Sequence, residues 1–422
     1  MNIIIKAIKF NHDPNSASHD ALNIRKNKSQ FIDIPEWVHG TTTKAEDSLS
    51  AYAIKETQGN TITIQARFKA NDIGKAEIRA IAIEPFPSPF ENVGFGGWLG
   101  WLMNIILWIL GMTFGNVLGE VKAKWVTFST GGDSGYVTFE LENPKIGDSG
   151  VGIHFTTWKW LYRLESGGPW IDIDTTRHKI YVLLDIPKDP WKQSPHVATN
   201  DQLPWTEVLD YSCKWANGQL TEDGATGAIT KEVNDGIGLT YDMNNGATKY
   251  THGGAFNCTW FIKYLKTGEN LGKTVNCTDC GTIVTTFSNS VGCDLHASRM
   301  GLYFGLNKII AIGQSGWGCP NWGCKFSYHE VAWKGGGNDN DPLFDACLKI
   351  DGDDNPWAAP HTELLPVNIK FTTLPGATLP LPTPFTANSY RERLCQNNAE
   401  GIEKCIAIGP WPNTNNGRRR VI

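Results

Sequence analysis

One stretch constrains this chain more than any other: Val275-Asn276-Cys277-Thr278-Asp279-Cys280-Gly281-Thr282-Ile283-Val284-Thr285-Thr286-Phe287-Ser288-Asn289-Ser290-Val291-Gly292. Ile283, Val284, Phe287 and Val291 recur at helical spacing, so one face from Cys280 onward is apolar and the run reads as a buried helix. Cys277 then falls at the helix N-terminus, where unpaired N–H groups and the macrodipole favour a thiolate. The thiolate is the nucleophilic form of cysteine, so the placement suits covalent catalysis. Downstream, two strand-like runs supply a histidine and an aspartate: Tyr328-His329-Glu330-Val331-Ala332-Trp333 and Phe344-Asp345-Ala346-Cys347-Leu348. Cysteine, histidine and aspartate in that order describe a nucleophile, a base and an orienting acid.

These residues resemble the transglutaminase-like superfamily of papain-like cysteine enzymes. In that family a catalytic Cys opens a helix, often with Asp two residues on and Gly fifteen residues on; Cys277, Asp279 and Gly292 match. The family's His begins a strand with a Trp close behind, and its Asp ends a strand before a small residue. His329 with Trp333, and Asp345 with Ala346, look similar. The resemblance covers residues 255–355, roughly, and departs in two places. Cys293-Asp294-Leu295-His296-Ala297-Ser298-Arg299 lacks the family's Ile-Pro-Ala-Arg continuation, and three residues separate His329 from Trp333 where the family has one. The resemblance implies a papain-fold α+β domain in which Cys277 attacks a protein or peptide amide. His329 would move the proton and Asp345 would orient the imidazole. The acyl-enzyme would pass to water or to an amine, so protease, deamidase and transglutaminase all stay open. No cofactor is implied.

Other residues compete for these roles. Trp260, through its indole N–H, is a candidate oxyanion donor beside the backbone N–H of Cys277. Cys280 is the alternative nucleophile, although it lies on the apolar stripe, where a cysteine is a small buried hydrophobe. Asp351 and Asp353 read as a solvated turn, and His296 and His361 as surface or structural histidines. A zinc reading would use Cys277, Cys280, Cys319 and Cys324 as four thiolates, and leaves His329 and Asp345 without a role. A further reading keeps the fold without turnover, as a structural or delivered component of a larger assembly.

The rest of the chain sets the frame. Its 422 residues allow two or three domains with substantial cores. A net charge of −5 argues against nucleic acid as the main partner, and Arg418-Arg419-Arg420 reads as a solvated basic end. Met1-Asn2-Ile3-Ile4-Ile5-Lys6 is too short in apolar length for a signal peptide, so the expectation is a cytoplasmic protein as made, with non-classical export left open. The ten cysteines then read first as reduced thiols; Cys319 with Cys324, and Cys395 with Cys405, would become local disulfides on export.

Residues 59–186 alternate apolar and polar: Ile62, Ile64, Ala66 and Phe68, then Val137, Phe139 and Leu141, then Val151, Ile153 and Phe155. This predicts an antiparallel, immunoglobulin-like β-sandwich, with residues 1–58 as an arm or edge element. Residues 92–119 carry no charged side chain and space Gly111, Gly115 and Gly119 as in lipid-packed helices. We read them as an apolar insert making an oligomer or self-packing contact in preference to a membrane contact. Pro187, Pro190, Pro195 and Pro204 mark a linker over 187–204, followed by the α+β domain over 205–370 and a Pro-rich extension over 371–422.

Overall fold

The computed structural model describes residues 1–13, 18–83, 112–114, 117–143, 146–192, 202–269, 272–372 and 389–422. They form a mixed, β-rich structure with several antiparallel sheets and few helices, divided into two compact units. The first comprises residues 1–187 and 192–221, the second residues 188–191 and 222–422. Among the described residues, no helix is long and apolar enough to cross a membrane.

The first unit holds two sheets. One carries strands β1 (Ile3–Lys9), β2 (Trp37–Val38), β4 (Thr63–Ala70) and β8 (Asp133–Glu140), in the order β2-β1-β4-β8. The other carries β3 (Leu49–Ala53), β5 (Gly74–Ile83), β6 (Met112–Phe114), β7 (Val121–Phe128), β9 (Gly152–Arg163) and β10 (Ile171–Leu183), in the order β3-β10-β9-β5-β7 with β6 also on β9. The alternation predicted from sequence sets the inner faces. Phe68 and Phe139 of the smaller sheet meet Trp160 of the larger edge-on, at centroid distances of 5.5 and 6.0 Å. Such contacts between two inner faces are what fill a two-sheet core.

Three expectations need correcting here. Residues 1–58 are not an arm and only in part an edge element: β2 and β3 are edge strands, but β1 is an interior strand between β2 and β4, and its Ile3 and Ile5 join the shared core. The larger sheet is not purely antiparallel, because β3 runs parallel to β10 and β6 parallel to β9. The helix Thr206–Trp215 belongs to the first unit; its Asp210 accepts from Tyr181 of β10 at 2.6 Å. Most of the apolar insert, residues 92–111, lies outside the described residues. Its end packs within the first unit: β6 is a sheet strand, Val117 and Leu118 are core residues, and the Gly119 carbonyl accepts from the Trp158 indole. Residues 373–388 of the Pro-rich extension also lie outside the described residues.

The second unit is built on a five-stranded antiparallel sheet. In spatial order its strands are Val367–Lys370, Pro342–Phe344, His329–Lys334, Leu295–Met300 and Ala407–Gly409. The helix Cys277–Ser290 is buried along its whole length and packs on the central His329 strand. Gly281 is what lets it approach. A β-carbon there would lie 3.2 Å from the Glu330 carbonyl oxygen and from the backbone of Val331. Since strand backbone in a sheet centre cannot yield, Gly281→Val should push the helix off the strand and cost about 1–3 kcal/mol. Denaturant unfolding of the variant checks this; wild-type stability would show that the strand does give.

Candidate active site

Local sequence places Cys277 at the first turn of its helix. Asn276 caps the helix, its side chain accepting from the Asp279 N–H at 3.1 Å while the Asp279 carboxylate reaches back to the Asn276 N–H. Asp279 does more than cap. It also accepts the backbone N–H groups of Lys249, Tyr250 and Thr251 at 2.6–2.9 Å, tying that loop to the helix start. Burial pushes its carboxyl up, and these hydrogen bonds only partly pull it back. The Cys277 side of the helix end opens on a cleft of about 280 Å³ lined by Tyr241, Tyr303, Trp322, Phe326 and Tyr328 among others. No other free cysteine of the described residues lines it.

His329 begins the central strand and is completely buried. Its Nε2 lies 2.9 Å from Oδ2 of Asp345, which follows the neighbouring strand. Nδ1 is buried and has no hydrogen-bond partner, and the Cys277 sulfur acts on the ring electrostatically. The ring is stacked between Phe326, at 5.3 Å and 13°, and Tyr390, at 6.5 Å and 6°. Asp345 is held in turn: Oδ2 accepts from the Tyr390 hydroxyl at 2.6 Å and Oδ1 from the Cys347 N–H at 2.7 Å. Burial acts to lower the His329 pKa, but the charge and hydrogen bond of Asp345, with the Cys277 sulfur, outweigh it and push it up to about 10.

That shift has a sign for stability. A folded value near 10 against about 6.5 unfolded contributes stability that is fully present below pH 6.5 and lost as pH rises through 10. The wild-type melting temperature should therefore fall between pH 7 and 10 relative to His329→Gln, which cannot titrate there. Parallel curves would mean that no imidazolium is held in the folded site.

The next residue, Glu330, anchors a second buried network. Its carboxylate takes Arg419 Nη1 at 2.5 Å and Nη2 at 3.3 Å, the Trp411 indole N–H at 2.9 Å and the Thr278 hydroxyl at 3.2 Å. Arg419 also donates to Thr282 on the Cys277 helix, at 2.7 Å. Thr278 in turn meets the hydroxyl of Tyr328, a cleft residue, at 3.1 Å. The basic end is therefore not a solvated tail. Arg418 pairs with Asp294, and Arg420–Val421 runs as a strand beside Ala255–Phe256.

The remaining candidates lie elsewhere. Trp260 is not a cleft residue: it packs edge-on against Tyr250 at 5.6 Å under the Lys249 ammonium. Cys280 lies one turn into the helix against Cys347. The Cys347 hydrogen bond favours its thiolate, yet burial and the charges of Asp279 and Asp345 leave its pKa raised. Asp351 is buried rather than solvated, bonded to His361 at 2.5 Å in a separate pair. His296 donates from Nδ1 to the Asn416 carbonyl and accepts at Nε2 from Arg418, a structural arrangement. Cys319 and Cys324 form a disulfide, so they cannot serve as the thiolates of the zinc reading or count among reduced cysteines. Among the described residues, no cluster of His, Cys, Asp or Glu could hold a metal ion. Sequence reasoning missed Tyr390, Tyr241, Glu330 and Arg419, none of which stands near Cys277, His329 and Asp345 in a recognisable spacing, apart from Glu330 beside His329.

No family model matches the chain. No curated protein matches it either. Among solved structures, one of red sea bream transglutaminase is similar at a TM-score of 0.34 and 10% identity, over 68% of this chain and 48% of that one. The chain thus spans about half the length of that protein, and a likeness of this size carries no argument about activity.

Proposed function

We propose that the protein performs cysteine-dependent acyl transfer on protein or peptide amides, with Cys277 as nucleophile, His329 as proton carrier and Asp345 as orienting acid. What carries the reading is one arrangement: a buried imidazole bonded to a doubly anchored carboxylate and acted on by the sulfur of a cysteine that lines a cleft. With His329 already carrying the proton as imidazolium, the Cys277 sulfur attacks as the thiolate of that pair, bonding to the carbonyl carbon while the C=O electron pair moves to oxygen. The oxyanion meets the backbone N–H of Cys277 and the hydroxyl of Tyr241, which lines the same cleft and replaces Trp260 in that role. His329 then gives the proton to the leaving nitrogen, the C–N bond breaks and a thioester remains. Water converts it to a carboxylic acid; an amine converts it to a new amide.

The test is iodoacetamide labelling near pH 6, read per cysteine by mass spectrometry. Cys277 should label first among the eight free cysteines, since burial raises the thiols of Cys213, Cys293, Cys347 and Cys395. His329→Ala should slow Cys277 about 10²-fold. Slow, uniform labelling would instead favour a non-catalytic component that keeps the fold. Ammonia release and amine incorporation on casein, with Cys277→Ala as control, then identify the acceptor.

A further inference from the structure

We infer that the cleft selects a peptide acyl donor bearing a carboxylate beside the reacting acyl group, bound by Lys325, with the peptide lying across Tyr303 and Trp322. The inference rests on the acyl-transfer reading of Cys277 and names its substrate class.

Lys325 is the one Lys, Arg, Asp or Glu among the residues lining the cleft beside Cys277, and it makes no ion pair among the described residues. Its backbone is nevertheless fixed. The N–H donates to Gly323, the carbonyl accepts from the Trp322 indole at 2.9 Å, and the residue pairs with Gly305 across a short antiparallel bridge. The Cys319–Cys324 disulfide closes the loop immediately before it. A lysine on a fixed backbone therefore stands among the aromatic residues that line the cleft, where little competes for an incoming anion. The nearby Asp242 carboxylate is already occupied by the N–H groups of Asn244, Asn245 and Ala247.

Tyr303 lines the same cleft, next to the strand that pairs with Lys325–Phe326. It is 74% exposed and has φ +56°, a backbone region that bulky residues rarely enter and that persists where surrounding structure imposes it. Here it is imposed: Gly301, Leu302 and Tyr303 donate in turn to Ile406, Lys404 and Ser327 at 2.8–3.1 Å. Gly301 has φ +88°, and a β-carbon there would lie 2.0 Å from the Phe304 ring. The turn thus holds an exposed ring at the mouth of the cleft, continuous with exposed Leu302 and Ile406. Rigid aromatic surface of this kind binds polypeptide at low entropic cost.

The experiment alkylates Cys277 with peptidyl chloromethyl ketones that differ only in the residue beside the electrophile, Asp, Asn or Lys. Second-order rates are divided by each variant's own iodoacetamide rate. In wild type the order should be Asp, Asn, Lys, with about three- to tenfold between the extremes at low salt, shrinking as salt is raised. Lys325→Glu should invert the order, and Tyr303→Ala should slow all three peptide probes together. Equal normalised rates for the Asp and Lys probes, or an order unchanged by Lys325→Glu, overturns the inference while selective iodoacetamide labelling leaves the acyl-transfer reading standing. Failure of iodoacetamide to single out Cys277 overturns both.

Discussion

Arg419→Met should lower the unfolding free energy by about 3–5 kcal/mol, the cost of leaving a buried charge without its partner. Glu330 is fully buried and Arg419 nearly so, and the guanidinium supplies two of the four donors on that carboxylate. Losing it also releases Thr282 and with it the link between the chain's last strand and the Cys277 helix. The double variant Arg419→Met with Glu330→Gln should recover part of the loss, because neither charge is then stranded. Denaturant unfolding of the full chain decides it: a single variant within about 1 kcal/mol of wild type would show that the pair is solvated in solution and does not hold the segment.

Asp345→Asn should reduce amide turnover by about 10³–10⁴-fold if the proposed chemistry holds. The carboxylate receives His329 and Tyr390 on one oxygen and the Cys347 N–H on the other. An amide group must present an NH₂ to one of these donors, so the imidazole loses either its partner or its orientation. Because Asp345 is a principal cause of the raised His329 pKa, the alkaline limb of Cys277 alkylation should also move to lower pH. Tyr390→Phe removes one hydrogen bond to a charged group and should cost about tenfold, in the same direction. Wild-type turnover in Asp345→Asn would remove the aspartate from the mechanism, whatever became of Cys277.

The parts of this protein that were readable in one dimension are those whose causes lie within a few residues. The helix Cys277–Ser290 follows from its own cap, Asn276 with Asp279, and from Ile283, Val284 and Phe287 one turn apart. The strand Thr63–Ala70 follows from its own alternation. The strands carrying His329 and leading to Asp345 were visible for the same reason. Apolar runs alone could not say which strands become neighbours. Met1–Lys9 looked peripheral because nothing local marks a strand as interior; its position comes from pairing with Trp37–Val38 on one side and Thr63–Ala70 on the other.

The same division runs through the site. Residue type and order along the chain determined which cysteine, histidine and aspartate to consider, because helix starts and strand ends leave local signatures. Tertiary structure alone decided what surrounds them. Tyr390 lies 45 residues from the Asp345 it orients, and Arg419 lies 89 from Glu330. An arginine near the end of a chain has no local reason to be buried. It is buried because desolvating a guanidinium is tolerable only against a carboxylate with matched donors, and folding brings that carboxylate to it. Tyr241, and not Trp260, lines the cleft on the same ground: both are aromatic donors upstream of Cys277, and only the path of the chain puts one there. Sequence carried the chemistry of single residues and the period of single elements; the contacts that give those residues a shared environment exist only once the chain has closed on itself.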